Sequence, residues 1–415
     1  MVRIQSKSCV ESCASCRGLG CDAITRAHFL CYRWPLEVTN KDEMQTRSIL
    51  QIVSGFKPSV DGMGDFARRL GSTLWQRSGI QSHFLVYRTP DTHFDAEEIL
   101  PNTLTYCAEP SASAFIEDVD RIQRKRAFDC VLLHYGPYAY STNGAPGEFV
   151  EEVEELAEDT RLLVFFHELY ASGPPWKRAF WTNSQQRNSV ARLLQVADVC
   201  FTSNAKYMKR LAALNQSGSK LIKIPIFSNI GEPEGLRPLA LRPRQLVIFG
   251  QLVTRVRLYQ QHRQTLEDVC RKLRIEKVID VGSGKSQQIP KSLGNAQVRS
   301  TGWMDEQQLS ELMTNSIAGV VGYWPDVWEK SGVLASYQAH ALVPVLIELE
   351  PRLLPAPPYV PYVLAEDLLR LSVGSAIIPD SEIQKIADSA HEYYLRNQSV
   401  NRCVEVIDAA TAPQG

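Results

Sequence analysis

Short apolar runs alternate with stretches of helical periodicity along most of the chain. The segments "SILQIVSGF" (48–56), "HFLVY" (83–87), "CVLLHY" (130–135), "LLVFFHE" (162–168), "DVCFTSN" (198–204) and "KLIKIPIF" (220–227) are rich in β-branched and aromatic residues. They predict buried strands. After the first run, Phe66, Leu70 and Leu74 recur at i, i+4 and i+8, with Arg68, Arg69 and Gln76 between them, which predicts a helix beginning near Asp65. "GEFVEEVEELAED" (147–159) sets Phe149, Val153 and Leu156 against an acidic face, and "SVARLLQVAD" (189–198) follows the same pattern.

Prolines and charges interrupt this rhythm at "GEPEGLRPLALRPR" (231–244), which reads as a linker. A second series of strand candidates follows in "QLVIFG" (245–250), "KVIDVG" (277–282), "AQVRSTGW" (296–303), "AGVVGYW" (318–324) and "VPVLIEL" (343–349). "EQQLSELMTNS" and "KSGVLASYQAHA" between them have helical spacing. A long helix is expected over 381–399, with "ATAPQG" as a tail. The pattern is that of an α/β protein with two Rossmann-like, doubly wound domains facing a central cleft, over residues 44–235 and 240–380, with a C-terminal helix and tail over 381–415. In such sheets ligands bind beyond the carboxyl ends of the strands, so function is expected in the loops that follow them.

Composition narrows the classes. The chain has 415 residues, with 44% hydrophobic and 22% charged, as in ordinary globular proteins. A formal net charge of -1 gives no sequence-wide attraction to nucleic acid. No apolar run reaches the ~18 residues of a membrane span, and the start lacks the apolar core of a signal peptide. A cytoplasmic location is expected, with peripheral membrane contact left open. Five of the ten cysteines, Cys9, Cys13, Cys16, Cys21 and Cys31, crowd the first 31 residues. Cys13 and Cys16 have a zinc-type spacing, but a second CxxC pair is lacking, so no metal is expected. Residues 1–43 read as a poorly ordered extension or a start-site artefact, because "MQTRSILQIVSGF" from Met44 looks like a natural beginning.

The glycines of "SVDGMGDFARRLGSTLWQRSG" (59–79) lie at a strand-to-helix connection. There, bare backbone and the first helical N–H groups attract anions, although an ordinary turn would also use glycine. With "FFHELY" (165–170), "IPIFSNIG" (224–231), "VIFGQLVTRVRLY" (247–259) and "EKSGVLASYQAHALVPV" (329–345), this loop forms an ordered set. The set resembles the GT-B glycosyltransferases, and specifically the family 4 retaining enzymes, across residues 46–400. The last segment aligns without a gap to the family's "E-x-F-G-x-x-x-x-E-A-x-A-x-G-x-P-V".

The resemblance implies transfer of a sugar from a nucleotide-sugar donor, with retention and without a metal or other cofactor. It implies catalytic roles for His167, Arg257 and Glu329. Donor contacts are implied for Gly62, Gly64, Gly250, Gln251, Arg255, Lys330, Ser331, Gly332 and Tyr337. Acceptor contacts fall to Asp65, His134, Tyr135 and Glu168, with the loops "HYGPYAY" (134–140) and "SGPPWKRAFW" (172–181) shaping that side. Two positions depart from the pattern. Tyr337 replaces the carboxylate that accepts both ribose hydroxyls, and a tyrosine cannot act as a charged bidentate acceptor. Gln251 replaces the arginine after Gly250, while Arg257 takes the place of the clamp lysine, with Arg255 two residues before it. "DVGSGK" (280–285) lacks the spacing of an ATP-binding loop. Two other readings use the same scaffold: a non-catalytic sugar- or nucleotide-binding protein, and a nucleotide-sugar epimerase.

Overall fold

The computed structural model describes residues 47–56, 62–87, 105–107, 112–125, 127–171, 176, 178–284, 286–349, 361–371 and 377–412. The cysteine-rich segment, residues 57–61 of the glycine-containing loop, residues 172–175 and 177 of the aromatic loop, Lys285 and the last three residues lie outside them.

The first lobe is a seven-stranded sheet made of β1 (Ser48–Val53), β2 (Gln81–Val86), β3 (Thr105–Cys107), β4 (Cys130–Tyr135), β5 (Leu162–Phe166), β6 (Val199–Thr202) and β7 (Lys220–Lys223). All its pairings are parallel, in the order β3-β2-β1-β4-β5-β6-β7. The crossovers are α1 (Gly62–Ser78), α2 (Ala112–Lys125), α3 (Gly147–Asp159), α4 (Arg178–Val196) and α5 (Ala205–Ala212). Strands β1, β2 and β4 are buried at every position, as parallel strands covered on both faces must be.

The second lobe repeats the plan with β8 (Gln245–Phe249), β9 (Lys277–Val281), β10 (Ser292–Leu293), β11 (Ala296–Gly302), β12 (Ala318–Tyr323), β13 (Val343–Glu348) and β14 (Val363–Leu364). Their order is β10-β11-β9-β8-β12-β13-β14, and only the β10–β11 pair is antiparallel. The helices of this half are α6 (Leu252–Gln261), α7 (Arg263–Lys272), α8 (Glu306–Thr314), α9 (Gly332–Ala339), α10 (Ala365–Arg370) and α11 (Asp380–Asn397).

The C-terminal region holds two helices where the sequence pattern suggested one and a tail. After α11, Ser399 caps α12 (Val400–Thr411) by accepting from Arg402 N. Val400, Cys403, Val404 and Ile407 then bury one face of α12 against Ile49, Phe66 and Leu70 of the first lobe. Arg47 of the first lobe pairs with Asp408 at 2.6 Å. The chain thus returns to its starting lobe, and the end of the sequence completes the core around α1.

Gly64 illustrates why a small residue enters α1. A Cβ there would lie 2.1 Å from the Gly55 carbonyl oxygen, so the first turn can pack against the loop after β1 only without a side chain. Gly64 is therefore a packing glycine, buried under its own loop, and not bare backbone offered to a donor. Gly62 differs, being exposed, and no atom of the described residues lies within 4 Å of a Cβ placed there.

Candidate active site between the two sheets

Each sheet has a point where the strand order reverses, between β1 and β4 in the first lobe and between β8 and β12 in the second. The carboxyl ends of strands at such points form the crevice where this architecture receives ligands.

In the second lobe, the crevice is built from the loop after β8 and the start of α9. A Cβ on Gly250 would sit 3.9 Å from Val333 Cγ2, so the two segments are neighbours. Gly250 has a φ of +138°. Ser331 caps α9, its side chain accepting from Leu334 N at 3.2 Å while its carbonyl accepts from Ala335 N at 3.0 Å. That leaves the N–H groups of Gly332 and Val333 without partners among the described residues. Unpaired first-turn N–H groups and the positive end of the dipole suit this helix start to an anion. Gln251 is exposed beside it, as N-cap of α6. Along the same rim, Trp303 follows β11 and is 64% exposed.

Arg255 was expected to meet a phosphate, and its position rules this out. It is 1% exposed, and its guanidinium is held by the Asp280 carboxylate, by Gly250 O at 2.8 Å and by Ser283 O at 2.8 Å. Tyr259 and Ser300 also donate to Asp280. Burial raises the Asp280 carboxyl above its ordinary range even with Arg255 beside it. Arg255 therefore ties the loop after β8 to the loop after β9. Gly282 follows from the same closeness, since a Cβ there would lie 2.3 Å from Gly250 O. Arg257, two residues on, is only half-buried and bonds Gln261 along its own helix at 2.9 Å. It is the cation of this pair that can turn to a ligand.

Tyr337 likewise faces inward. It is fully buried; its hydroxyl accepts from Phe249 N at 3.1 Å and lies 3.2 Å from Val247 O and 3.3 Å from Val320 O as potential acceptors. Burial raises the phenol well above its usual range. The residue bridges β8 and β12 beneath the crevice, and its ring occupies the space a side chain at Gly319 would need. It is a structural brace at the position where the family pattern puts a ribose-binding carboxylate.

Glu329 and Lys330, at the end of a 3-10 segment leading into α9, reach across to the first lobe. Glu329 is 5% exposed; its Oε1 accepts from Lys223 Nζ at 2.5 Å and its Oε2 from Ala205 N, at the start of α5, at 3.2 Å. Lys330 Nζ pairs with Glu168 Oε1 at 2.8 Å and lies over the Tyr207 ring. Burial opposes its charge, but Glu168 with Tyr207 and Tyr323 outweighs that and holds the ammonium above the lysine norm. Arg68 and Arg69 of α1 grip Glu306, the first residue of α8, at 2.5 and 2.9 Å. Six residues of the first lobe and three of the second thus brace the crevice.

His167 directly follows β5 at this crossing point. Its Nε2 lies 3.0 Å from His134 Nδ1, and its ring stacks on Phe165 with Phe66 edge-on. Burial, then His134, then Lys330 hold its pKa well below the ordinary histidine value, so it is a neutral imidazole. His134 and Tyr135, expected at an acceptor surface, are both wholly buried and touch no surface. His134 acts only through His167, and Tyr135 packs against Tyr140 and Phe166. Asp65 is half-buried in the first turn of α1, and Glu168 remains half-exposed at the crevice.

The motif reading passed over Lys223, Gln51, Glu306 and Trp303. Gln51 carried a signal, being a lone polar residue inside an otherwise apolar strand. Lys223 and Glu306 carried none, because their partners lie more than eighty residues away in the chain.

No family model matches the chain, and no curated protein matches it. Solved structures match over 88% of its length. Its fold is that of the GT-B glycosyltransferases. A glycosyltransferase from Rickettsia africae ESF-5 superposes with a TM-score of 0.58 at 12% identity, over 98% of its own chain. Anabaena Alr3699/HepE in complex with UDP gives 0.58 at 12%, over 99% of its chain. An alpha-glucosyltransferase in complex with UDP-glucose and DNA containing an abasic site gives 0.57 at 11%, again over 99%. At these identities the shared property is the GT-B architecture, and the chemistry has to be argued from the crevice itself. Among the described residues, no helix is long and apolar enough to cross a membrane.

Proposed function

We propose that the chain is a glycosyltransferase that binds a nucleoside-diphosphate sugar between its lobes and transfers the sugar, with retention and without a metal, to an acceptor seated on the first lobe. The observation that carries the reading is the unpaired start of α9, with the N–H groups of Gly332 and Val333 beside the Gly250 loop at the switch point of the second sheet. A departing diphosphate develops negative charge, and fixed N–H dipoles aimed at that charge lower the barrier because they need no reorganisation. Arg257 adds a cation from α6, and the exposed Trp303 ring offers a stacking face for the base. His167 meets the sugar from the first lobe as a neutral hydrogen-bonding group. Glu329 holds the lobes together and so sets the width of the gap in which the sugar lies. The neighbours in complex with UDP and UDP-glucose make uridine the first base to test. A net charge of -1 argues against a polynucleotide acceptor.

The test is a panel of nucleotide sugars, followed by chromatography for slow hydrolysis to free sugar and nucleoside diphosphate. Release of both from one donor, reduced at least tenfold in Arg257→Ala, supports the transferase. The inward-facing Tyr337 favours one competing reading, a binding protein without turnover, for which thermal stabilisation by a donor would occur with no product. An epimeric sugar nucleotide appearing in the mixture would instead indicate an epimerase.

A further inference from the structure

Gln51 sits in the middle of β1, whose six positions are all buried. Its Nε2 donates to Ser82 Oγ on β2 at 2.9 Å, and its Oε1 lies 2.8 Å from His134 Nε2 on β4. His134 Nδ1 lies 3.0 Å from His167 Nε2 at the end of β5. Strands β2, β1, β4 and β5 are consecutive neighbours in the sheet. The four polar side chains therefore form one hydrogen-bonded row that runs diagonally across the sheet, from the amino half of β2 to the carboxyl end of β5 at the crevice.

The orientation of the Gln51 amide sets the direction of each bond beyond it. The Gln51 amide is oriented with Nε2 toward Ser82 and Oε1 toward His134, and because an amide oxygen only accepts, His134 Nε2 carries the proton toward Gln51 Oε1. Full burial holds His134 neutral, its pKa pushed down to about 3. A neutral imidazole has one N–H, so His134 Nδ1 bears a lone pair and accepts from His167 Nε2. His167 is then protonated at Nε2. Its Nδ1 has no partner among the described residues and is not sealed from solvent, although the residue as a whole is only 7% exposed.

We infer that Gln51 and Ser82, acting through His134, fix the tautomer of His167 so that its Nδ1 presents a lone pair to the crevice. Gln51, Ser82 and His134 are positioning residues; only His167 touches the ligand. A fixed lone pair accepts from a group that donates and repels one that only accepts, and leaving such a group unmatched is penalised in a buried setting. A sugar hydroxyl satisfies it, whereas a deoxygenated or carbonyl-bearing carbon at the same place does not. Calling the ligand group a sugar hydroxyl rests on the transferase reading above, while the tautomer itself does not.

Nitrogen-15 NMR of the histidine side chains in the full chain reads the tautomer directly, with His167→Asn supplying the assignment. His167 should show Nε2 protonated and Nδ1 in the range of an unprotonated ring nitrogen. In Gln51→Met, which keeps the volume and removes the acceptor, the bias should be lost and an Nδ1-protonated population of His167 should appear. An Nδ1–H tautomer in the unaltered protein would overturn the inference, as would a His167 spectrum that Gln51→Met leaves unchanged. If the methionine variant does not fold, the unaltered protein still decides. Absence of nucleotide-sugar turnover would strike the transferase reading alone, because this spectrum needs no substrate.

Discussion

Lys223 Nζ and Glu329 Oε1 lie 2.5 Å apart, joining the last strand of the first sheet to the segment that enters α9 in the second. Glu329 also accepts from the Ala205 amide at the start of α5, where a helix dipole favours a carboxylate. The residue that the motif reading makes a sugar ligand is thus already bound to the opposite lobe. Glu329→Ala should destabilise the protein by about 1.5–3 kcal/mol, the range for a hydrogen bond to a charged group, as well as lowering activity. Denaturant titration of Glu329→Ala and Lys223→Met checks this. Equal losses in the two single variants and in the double variant would show that the pair acts as one unit.

Arg255 and Arg257 separate structure from chemistry within a single helix turn. Removing Arg255 strands the buried Asp280 carboxylate, and breaking a buried pair in this way costs about 3–5 kcal/mol. Arg257 bonds only Gln261 among the described residues, so Arg257→Ala should change stability by less than about 0.5 kcal/mol. Thermal denaturation of both variants, set beside donor hydrolysis, should show Arg255→Ala failing by unfolding and Arg257→Ala failing while folded.

Gly62 and Gly64 should respond in opposite ways to alanine. The added methyl at Gly64 meets a backbone carbonyl that cannot swing aside, so Gly64→Ala should lose at least about 1–3 kcal/mol. No described residue crowds the same methyl at Gly62, and Gly62→Ala should be neutral or slightly stabilising by unfolding midpoints.

Glu152 on α3 is 5% exposed, and neither of its carboxylate oxygens has a hydrogen-bond partner among the described residues. Burial first, then Glu148 and Glu155, push its pKa from 4.5 up to about 8. The folded state therefore holds a proton that the unfolded state releases. The stability this confers is full below pH 4.5 and is lost as the pH rises through 8. Glu152→Gln should flatten the decline in stability across that window, where one such group contributes a slope of at most about 1.4 kcal/mol per pH unit. Unfolding free energies measured at intervals from pH 5 to 9 test it.

Most of the strand framework was legible because parallel strands covered on both sides read as apolar runs. The runs at 130–135, 162–168 and 318–324 fall on β4, β5 and β12. The strands missed are β3, β10 and β14, two or three residues each at or beside sheet edges, too short to carry a pattern. Helix α12 has a clear apolar face at Val400, Cys403, Val404 and Ile407, but its partner is a lobe more than three hundred residues earlier, which periodicity does not reveal. The site residues were less legible for a different reason. Alignment to a motif gives a position along the chain and says nothing about which way a side chain turns. Arg255 and Tyr337 stand at motif positions and point into the core, while His134 ends a strand at the crevice and faces Gln51.

On the transferase reading, the start of α9 and the Gly250 loop together hold a diphosphate. Hydrogen–deuterium exchange of the full chain, with and without each of UDP, GDP, ADP and CDP, tests it most directly. One of the four should slow exchange in the segments containing Gly250–Gln251 and Gly332–Val333 together. Protection by none of them, or protection confined to other parts of the chain, would contradict the account.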